Sequence, residues 1–377
     1  MKGTVKQRGN TWTYIMDIGR DPITGKRRQK TKGGFSRKKD AQAALRKIQT
    51  ELDEDRFVDP SKESFSSYME FWFKSHYQKR IKETTASSRK YLMDKHLIRE
   101  NPFANKMLSK ITTEDIDAFY NLKLDEEYST STIRKLHQLL NQAFGQSVKW
   151  KKISFNPVIN ADPPSVKKEE MKIWSFGEIE SFLNQCKGER HYLTFLIAIY
   201  TGMRKGELLG LKWSDIDFAK KIIRIQRSLS HIPNKGYRLS TLKTKKSKRQ
   251  VPIPDFLVKA LKAHRDRQET QRKRLGEHYQ DQDLVICTET GTFQDPRNVL
   301  RVMKRVSEAA NVTPIRFHDI RHTHASILIS EGVDIVKVQT RLGHSKPSIT
   351  LEHYAHMMPN QDDEVADIFH NALQNSR

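Results

Sequence analysis

Cysteines and long apolar runs are both scarce in this chain of 377 residues, and each scarcity excludes a class of protein. The two cysteines, Cys186 and Cys287, are far apart, which argues against a disulfide framework or a cysteine-based zinc site and is typical of a reducing compartment. No apolar run approaches the ~20 residues of a membrane span, and the basic N-terminus lacks the apolar stretch of a signal peptide. We therefore expect an intracellular protein.

Acidic residues are also too few to balance the basic ones. The chain has 68 Lys and Arg against 45 Asp and Glu, a formal net charge of +23. An excess of this size favours a polyanionic partner, because phosphates that are neutralised by side chains release their counterions. The alternative is the solvated surface of an ordinary enzyme. Local clustering favours nucleic acid instead, since residues 1–47 hold 14 Lys and Arg against three Asp.

The first 56 residues have the pattern of a small α+β domain. Trp12, Tyr14, Met16 and Ile18 alternate with polar or smaller residues, which predicts a strand with one buried face. A turn and a basic second limb follow, and then apolar residues at helical spacing. We expect a three-stranded sheet plus a helix that grips DNA over residues 1–56, rather than a disordered basic arm.

Helical spacing dominates the next segment. Acidic residues and Pro60 mark a boundary, and Thr112 with Asp115 predicts a capped helix start. Residues 62–160 are therefore expected to form an all-α, DNA-binding helical bundle with its aromatic residues in the core. The proline-rich, charged segment after it predicts a linker over residues 161–172. Residues 173–377 remain for a third, mixed α/β but mainly helical domain, so the fold class is multidomain, mainly α with small sheets.

A candidate site begins where a buried helix ends. The nearly all-apolar run from His191 to Tyr200 predicts a core helix that stops at Gly202. Arg204 follows directly, where a long side chain can be held at a cleft, although a plain surface arginine is the alternative. Glu207 is interpreted as a structural partner rather than as a catalytic acid.

A lysine-rich segment follows between two strand-like runs, residues 222–226 and 249–254. We interpret these runs as a hairpin whose turn holds the lysines. Lys243 lies where the second limb begins, with Lys245, Lys246 and Lys248 further on. An ammonium group that loses its proton when desolvated is suited to protonating an alkoxide leaving group, and only one lysine can do so.

Histidine, arginine and tyrosine cluster in the last third of the chain. HDIRHTHAS predicts a helix start with His318 and Arg321 on one face. RLGH presents His344 after a glycine stop, and HYAH contains Tyr354. A metal site at His318 and His322 is the alternative, but no HExxH motif or carboxylate at ligand spacing supports it.

These blocks carry a resemblance. TGMRKGEL, the lysine in TLKT, HDIRHTHAS, RLGH and the HYAH tyrosine occur in the order seen in the tyrosine recombinases, or phage integrases. The chain resembles the integrases of temperate phages and integrative conjugative elements, which carry an arm-site DNA-binding domain, a helical core-binding domain and a catalytic domain. Among the lysines, the resemblance favours Lys243.

The resemblance implies a division of roles that agrees with the chemistry of the side chains. Guanidiniums neutralise charge on the non-bridging phosphate oxygens, and a tyrosine near a base can attack the phosphorus. The expected catalytic residues are Arg204, Lys243, His318, Arg321, His344 and the nucleophile Tyr354.

The expected activity is a DNA strand exchange that integrates and excises a mobile element through a 3′-phosphotyrosyl intermediate, without metal, ATP or other cofactor. The implied partners are double-stranded DNA with core-type and arm-type sites, three further copies of the chain in a tetramer, an excisionase and a host DNA-bending protein. The C-terminal residues Val365, Ile368, Phe369 and Leu373 predict a helix that docks onto a neighbouring protomer or within its own. The expected location is the cytoplasm of a bacterial host, at the nucleoid.

Two other functions remain open from the sequence. A type IB topoisomerase or resolvase would use the same nucleophile, but relaxing supercoils requires no second DNA-reading domain. A non-catalytic architectural DNA-binding protein would have no need of all six reactive side chains.

Overall fold

A computed structural model describes residues 3–20, 27–53, 62–166, 171–233, 235–242 and 247–343. The chain divides into two compact units, Met1–Lys168 and Glu169–Arg377. Within the described ranges no helix is long and apolar enough to cross a membrane. The multidomain, mainly helical fold class predicted from the sequence is confirmed.

The N-terminal part of the first unit is an antiparallel sheet with one helix against it. The strand order is β1-β2-β3, and Tyr14 and Met16 of the middle strand are buried with Leu45 of the helix. The alternation of apolar and polar residues along the middle strand therefore places its apolar side chains on one buried face of the sheet. The elements are β1 Gly3–Arg8, β2 Thr11–Arg20, β3 Arg27–Phe35 and α1 Lys38–Asp53.

A helical bundle with an aromatic core completes the first unit. Its third helix begins with the predicted capping box, in which Thr112 and Asp115 bond each other's backbone N–H. The buried Tyr68 hydroxyl donates to the Ala143 carbonyl at 2.7 Å and so joins the first and last helices. The elements are α2 Phe65–Trp72, α3 Glu83–Leu92, α4 Thr113–Asp125 and α5 Thr130–Lys149.

The second unit opens with the helices that present Arg204. Ser175 and Glu178 form a capping box before the first of them. The second is almost wholly buried and ends at Gly202, whose φ of 62° is the left-handed conformation that glycine adopts readily. The elements are α6 Phe176–Gln185, α7 Tyr192–Thr201 and α8 Lys205–Leu209.

Two small sheets follow, and they correct the predicted hairpin. The strand-like runs do pair, with Ile223 opposite Val251, but a second hairpin lies between them. Its strands pair from Arg227 with Thr241 to Ile232 with Gly236, so the lysine-rich segment is not its turn and lies in sequence between the last two strands. Gly206 lies against this inner hairpin, since a Cβ there would be 2.8 Å from the Leu229 carbonyl oxygen. The elements are β4 Ile216–Asp217, β5 Ile222–Ile225, β6 Arg227–Ile232, β7 Gly236–Thr241 and β8 Arg249–Pro252.

Four helices complete the described part of the second unit. The first three share with α6, α7 and the β4-β5-β8 sheet a core that is mainly aliphatic. The last packs on the helix before it through a smaller cluster, Ala325, Ile329, Val338 and Leu342. The last helix ends at Gly343, again in the left-handed conformation with a φ of 67°. The predicted C-terminal docking helix lies outside the described residues. The elements are α9 Asp255–Leu275, α10 Pro296–Ala309, α11 Phe317–Ser330 and α12 Ile335–Leu342.

Candidate active site

Arg204 is held at the turn between α7 and α8. Its backbone is extended, so it forms the N-cap of α8. Glu207, three residues on, accepts the Arg204 backbone N–H at 3.0 Å and its Nη1 at 2.7 Å. The Arg204 side chain keeps 36% of its surface exposed while Glu207 keeps 2%. The turn therefore presents one end of a guanidinium to solvent and anchors the other in the protein.

The Glu207 carboxylate is shared with a second arginine. Arg249 donates Nη2 to Glu207 Oε2 at 2.9 Å and Nη1 to Oε1 at 3.3 Å. Burial alone would raise the pKa of this carboxyl, but Arg249 and Arg204 together lower it below its ordinary value. Glu207 is thus an anion paired to two cations, as its interpretation as a structural partner requires.

Helix α11 carries the next two predicted residues. Asp319 accepts the Arg316 backbone N–H at 2.8 Å and fixes the start of the helix. Arg321, two residues after Asp319 on the same helix, is 2% exposed. It donates Nη1 to the Gly202 carbonyl at 2.8 Å and Nη2 to the Leu342 carbonyl. Arg321 therefore contacts both the turn that carries Arg204 and the end of α12.

His318 lies within the electrostatic reach of both arginines. Partial burial of the imidazole, followed by the charges of Arg321 and Arg204, lowers its pKa below the ordinary value. The ring is consequently neutral at neutral pH and able to accept a proton. The structure brings together Arg204, His318 and Arg321 in this way, whereas Lys243, His344 and Tyr354 lie outside the described residues.

The alternative metal site at His318 and His322 gains no third ligand from the described part of the chain. The two rings are 5.1 Å apart, centre to centre. Among the residues that the structure describes, no group of three His, Cys, Asp or Glu side chains is placed to hold a metal ion.

Sequence reasoning missed two arginines that surround this site, Arg249 and Arg341. Arg341 donates Nε to His324 Nε2 at 3.1 Å and Nη2 to the Tyr200 carbonyl at 2.9 Å. His324 in turn donates Nδ1 to the Ile199 carbonyl at 2.9 Å, so both of its ring nitrogens make contacts within the protein. A signal for Arg249 was present, because period-two alternation from Val251 places it on the buried face of β8.

The arrangement suits one kind of chemistry. Two guanidiniums near a neutral imidazole can bind a phosphate anion and accept a proton from a hydroxyl that attacks it. Arginine keeps its charge at any ordinary pH and matches two phosphate oxygens at once, which lysine cannot do.

Comparison with known proteins agrees with this chemistry. Residues 173–361 match the model of the phage integrase family, residues 4–52 match an arm DNA-binding domain, and residues 64–124 match the N-terminal SAM-like domain of phage integrases. The chain belongs to the phage integrase family. Its members are tyrosine recombinases, which are enzymes that break and rejoin DNA. The resemblance inferred from the motifs is thereby confirmed.

Two curated relatives illustrate the similarity. A XerC-like tyrosine recombinase of Caldanaerobacter subterraneus is 36% identical over 290 residues, which is 72% of this chain and 74% of the relative. The ICEBs1 integrase of Bacillus subtilis is 29% identical over 359 residues, 94% of this chain and 96% of the relative. Near-complete coverage by an integrase supports site-specific recombination as the function of this family member.

Solved structures show the same fold. The Tn1549 transposon integrase in complex with a circular intermediate DNA aligns with a TM-score of 0.69 at 20% identity, over 82% of this chain and 99% of that one. A lambda integrase tetramer bound to a Holliday junction aligns with a TM-score of 0.55 at 19% identity, over 91% and 96%.

Proposed function

We propose that this chain is the integrase of a mobile element and cuts DNA by attack of Tyr354 on the scissile phosphate. The observation that supports this most strongly is the grouping of Arg204 and Arg321 around a neutral His318, within the segment that matches the family. A site that gathers fixed positive charge beside an uncharged base is suited to a phosphodiester, whose transition state accumulates negative charge.

Each predicted side chain has a role in this proposal. Arg204 and Arg321 bind the non-bridging oxygens, and His344 donates a further hydrogen bond to the phosphate. His318 accepts the phenolic proton as the Tyr354 oxygen attacks phosphorus. Lys243 protonates the departing 5′ oxygen, and the tyrosine remains joined to the 3′ phosphate.

The covalent intermediate explains how strands are rejoined. The phosphotyrosyl ester retains the energy of the broken phosphodiester, so a 5′ hydroxyl of another strand can attack it without ATP. In this scheme the arginines and histidines stabilise the charge that metal ions stabilise in two-metal nucleases. Integration and excision of an element are then the same chemistry with different pairs of DNA ends.

The domain organisation suggests how DNA is bound. Residues 1–56 would read arm-type sites, residues 62–160 would bind core-type sites, residues 173–377 would carry the reaction, and residues 161–172 would be a linker. Four copies acting on two sites extend to this chain the tetramer that the lambda integrase forms on a Holliday junction. The predicted C-terminal helix would dock either on a neighbouring protomer or on its own. An excisionase and a host DNA-bending protein, acting in the bacterial cytoplasm, would set the direction.

Replacement of the nucleophile tests the proposal. Tyr354→Phe should bind core-site DNA as the wild type does, because only one hydroxyl is removed, and it should form no covalent adduct. The measurement uses a nicked suicide substrate, from which the short fragment that carries the new 5′ hydroxyl diffuses away. A denaturing gel then separates the covalent protein–DNA adduct from free DNA. Adduct formation by the variant would show that another residue is the nucleophile.

A further inference from the structure

Arg249 is a buried arginine with an unusual set of partners. Its side chain is 4% exposed and contacts three separate parts of the second unit. Nη1 and Nη2 bind the Glu207 carboxylate, Nε donates to the Arg341 carbonyl at 2.8 Å, and Nη1 also lies 3.3 Å from the Ser247 carbonyl. Glu207 is 42 residues away in sequence and Arg341 is 92 residues away. Arg249 thus links α8, the start of β8 and the end of α12 through one side chain.

The shape of the guanidinium accounts for this choice of residue. Five N–H groups project from one rigid plane, so one edge can bind both oxygens of Glu207 while Nε reaches a carbonyl. A lysine in its place would keep the charge but could not hold both oxygens of Glu207 in one plane. The bond to the Arg341 carbonyl also satisfies one of the last carbonyls of α12, which have no partner within a helix.

Charge distribution gives Arg249 a second effect. Glu207 accepts hydrogen bonds from two guanidiniums, so the three groups together keep one positive charge. Arg249 is the buried member and Arg204 is the partly exposed one. If Arg249 were absent, the carboxylate would be matched by Arg204 alone, and the charge that Arg204 presents to solvent would be largely cancelled.

We infer that Arg249 is a positioning residue for Arg204: by binding Glu207 it fixes the Arg204 guanidinium and keeps its charge available to the scissile phosphate. This inference rests on the proposed function, since it assigns Arg204 to the phosphate. Arg249 itself does not touch the DNA in this scheme. The competing explanation is that Arg249 only holds the end of α12 through its bond to the Arg341 carbonyl. Loss of that bond would also slow cleavage.

Arg249→Lys separates these explanations when two substrates are compared. One carries a normal scissile phosphate, and the other carries a methylphosphonate, in which a methyl group replaces a charged non-bridging oxygen. Single-turnover adduct formation by the variant should fall about 10- to 100-fold on the phosphate, the range seen when an outer partner of a functional group is lost. On the methylphosphonate the loss should shrink to about threefold or less, because there is little charge left for Arg204 to neutralise.

A double variant gives an independent measure. If Arg249 acts through Arg204, adding Arg249→Lys to Arg204→Ala should slow cleavage by no more than about twofold, since the group being positioned is already absent. Arg224→Lys is a matched control, because Arg224 lies on the adjoining strand β5 and pairs with Asp217 at 2.6 Å. The control should cleave both substrates at wild-type rates.

Equal losses on the two substrates, or a multiplicative loss in the double variant, would overturn the inference and assign Arg249 to α12 alone. Thermal unfolding identifies a variant that does not fold, and Glu207→Gln then replaces it. Glu207→Gln removes the carboxylate that Arg249 binds and so also loosens the Arg204 side chain. Its loss of rate should again be larger on the phosphate than on the methylphosphonate. If the wild-type protein forms no covalent adduct, the proposed function is wrong. If the wild type forms the adduct and Arg249→Lys forms it at the same rate, only the inference about Arg249 is wrong.

Discussion

The two units each bury an ion, and they balance it in opposite ways. In the helical bundle, Lys123 is fully buried and donates to Glu126 at 2.7 Å and Glu100 at 3.4 Å, so one cation faces two carboxylates. In the second unit, Glu207 is 2% exposed and accepts from Arg204 and Arg249, so one carboxylate faces two cations. The exposed members are two carboxylates in the first cluster and one guanidinium, that of Arg204, in the second.

This difference indicates what each cluster is for. In the first cluster two carboxylates outnumber the buried cation, so no positive charge is left over for an anionic ligand. The Glu207 cluster instead keeps a positive charge at its exposed end, on Arg204. We therefore propose that the sign of the charge left at the surface distinguishes the structural Lys123 cluster from the Glu207 cluster, which we assign to the phosphate, although both contain a buried ion and short hydrogen bonds.

A histidine accompanies each cluster and extends the comparison. Burial, Lys123 and Lys95 lower the pKa of His96 against the opposing effect of Glu100, whose carboxylate is 3.2 Å from Nδ1. Partial burial and the arginines lower the pKa of His318. Both rings are neutral at neutral pH, but only His318 lies beside cations that we assign to the phosphate.

The largest expected effect is from Arg204→Ala. Removing a charged donor to the transition state should slow adduct formation by about 10²–10³-fold, while the melting temperature changes little because the side chain is a third exposed. Single-turnover cleavage and thermal unfolding measure the two quantities. Arg224→Ala is the matched control, since Arg224 is 37% exposed and also paired to a carboxylate. Similar losses of rate in both variants would show that Arg204 contributes no more to cleavage than an ordinary paired arginine.

A smaller effect is expected from titration of His318. A base must be neutral to act, so the cleavage rate should rise with pH through the lowered pKa of His318 and reach a plateau above it. The midpoint should lie below the ordinary histidine value of about 6.5, with roughly a tenfold fall per pH unit on the acid side. A pH–rate profile under single-turnover conditions measures the midpoint. The pH–rate profile of His318→Gln should lack this rise on the acid side. A wild-type midpoint above about 6.5 would show the prediction to be wrong.

Local signals explain why much of the fold was predictable. The capping pairs Thr112 with Asp115 and Ser175 with Glu178, and the stop at Gly202, each involve residues within a few positions of one another. Their physical causes lie in the first or last turn of a helix, so a short stretch of sequence contains them. The motifs that contain Arg204, His318 and Arg321 could likewise be recognised from the order and spacing of their residues. The structure places these three residues together, and their catalytic roles are predictions.

The parts that sequence reasoning missed depend on distant contacts. The inner hairpin was hidden because its polar strands and the lysine-rich segment have similar composition, and only pairing distinguishes a strand from a loop there. The bond between Glu207 and Arg249 joins residues 42 positions apart, and no local pattern specifies which of many arginines meets a buried carboxylate. Balance of buried charge is a property of the folded unit.

The smallest expected effect is from Lys123→Met, which removes the cation of the structural cluster and keeps most of its volume. Glu100 and Glu126 are 38% and 39% exposed and can be hydrated when the cation is gone, so the free energy of unfolding should change by less than about 2 kcal/mol. Cleavage at saturating DNA should stay within about twofold of wild type. Lys123→Ala is the control, because the cavity it leaves should cost more stability than the loss of charge alone. Chemical denaturation and single-turnover cleavage measure these quantities, and a slowed chemical step in Lys123→Met would show that the helical bundle's buried ion also serves the reaction.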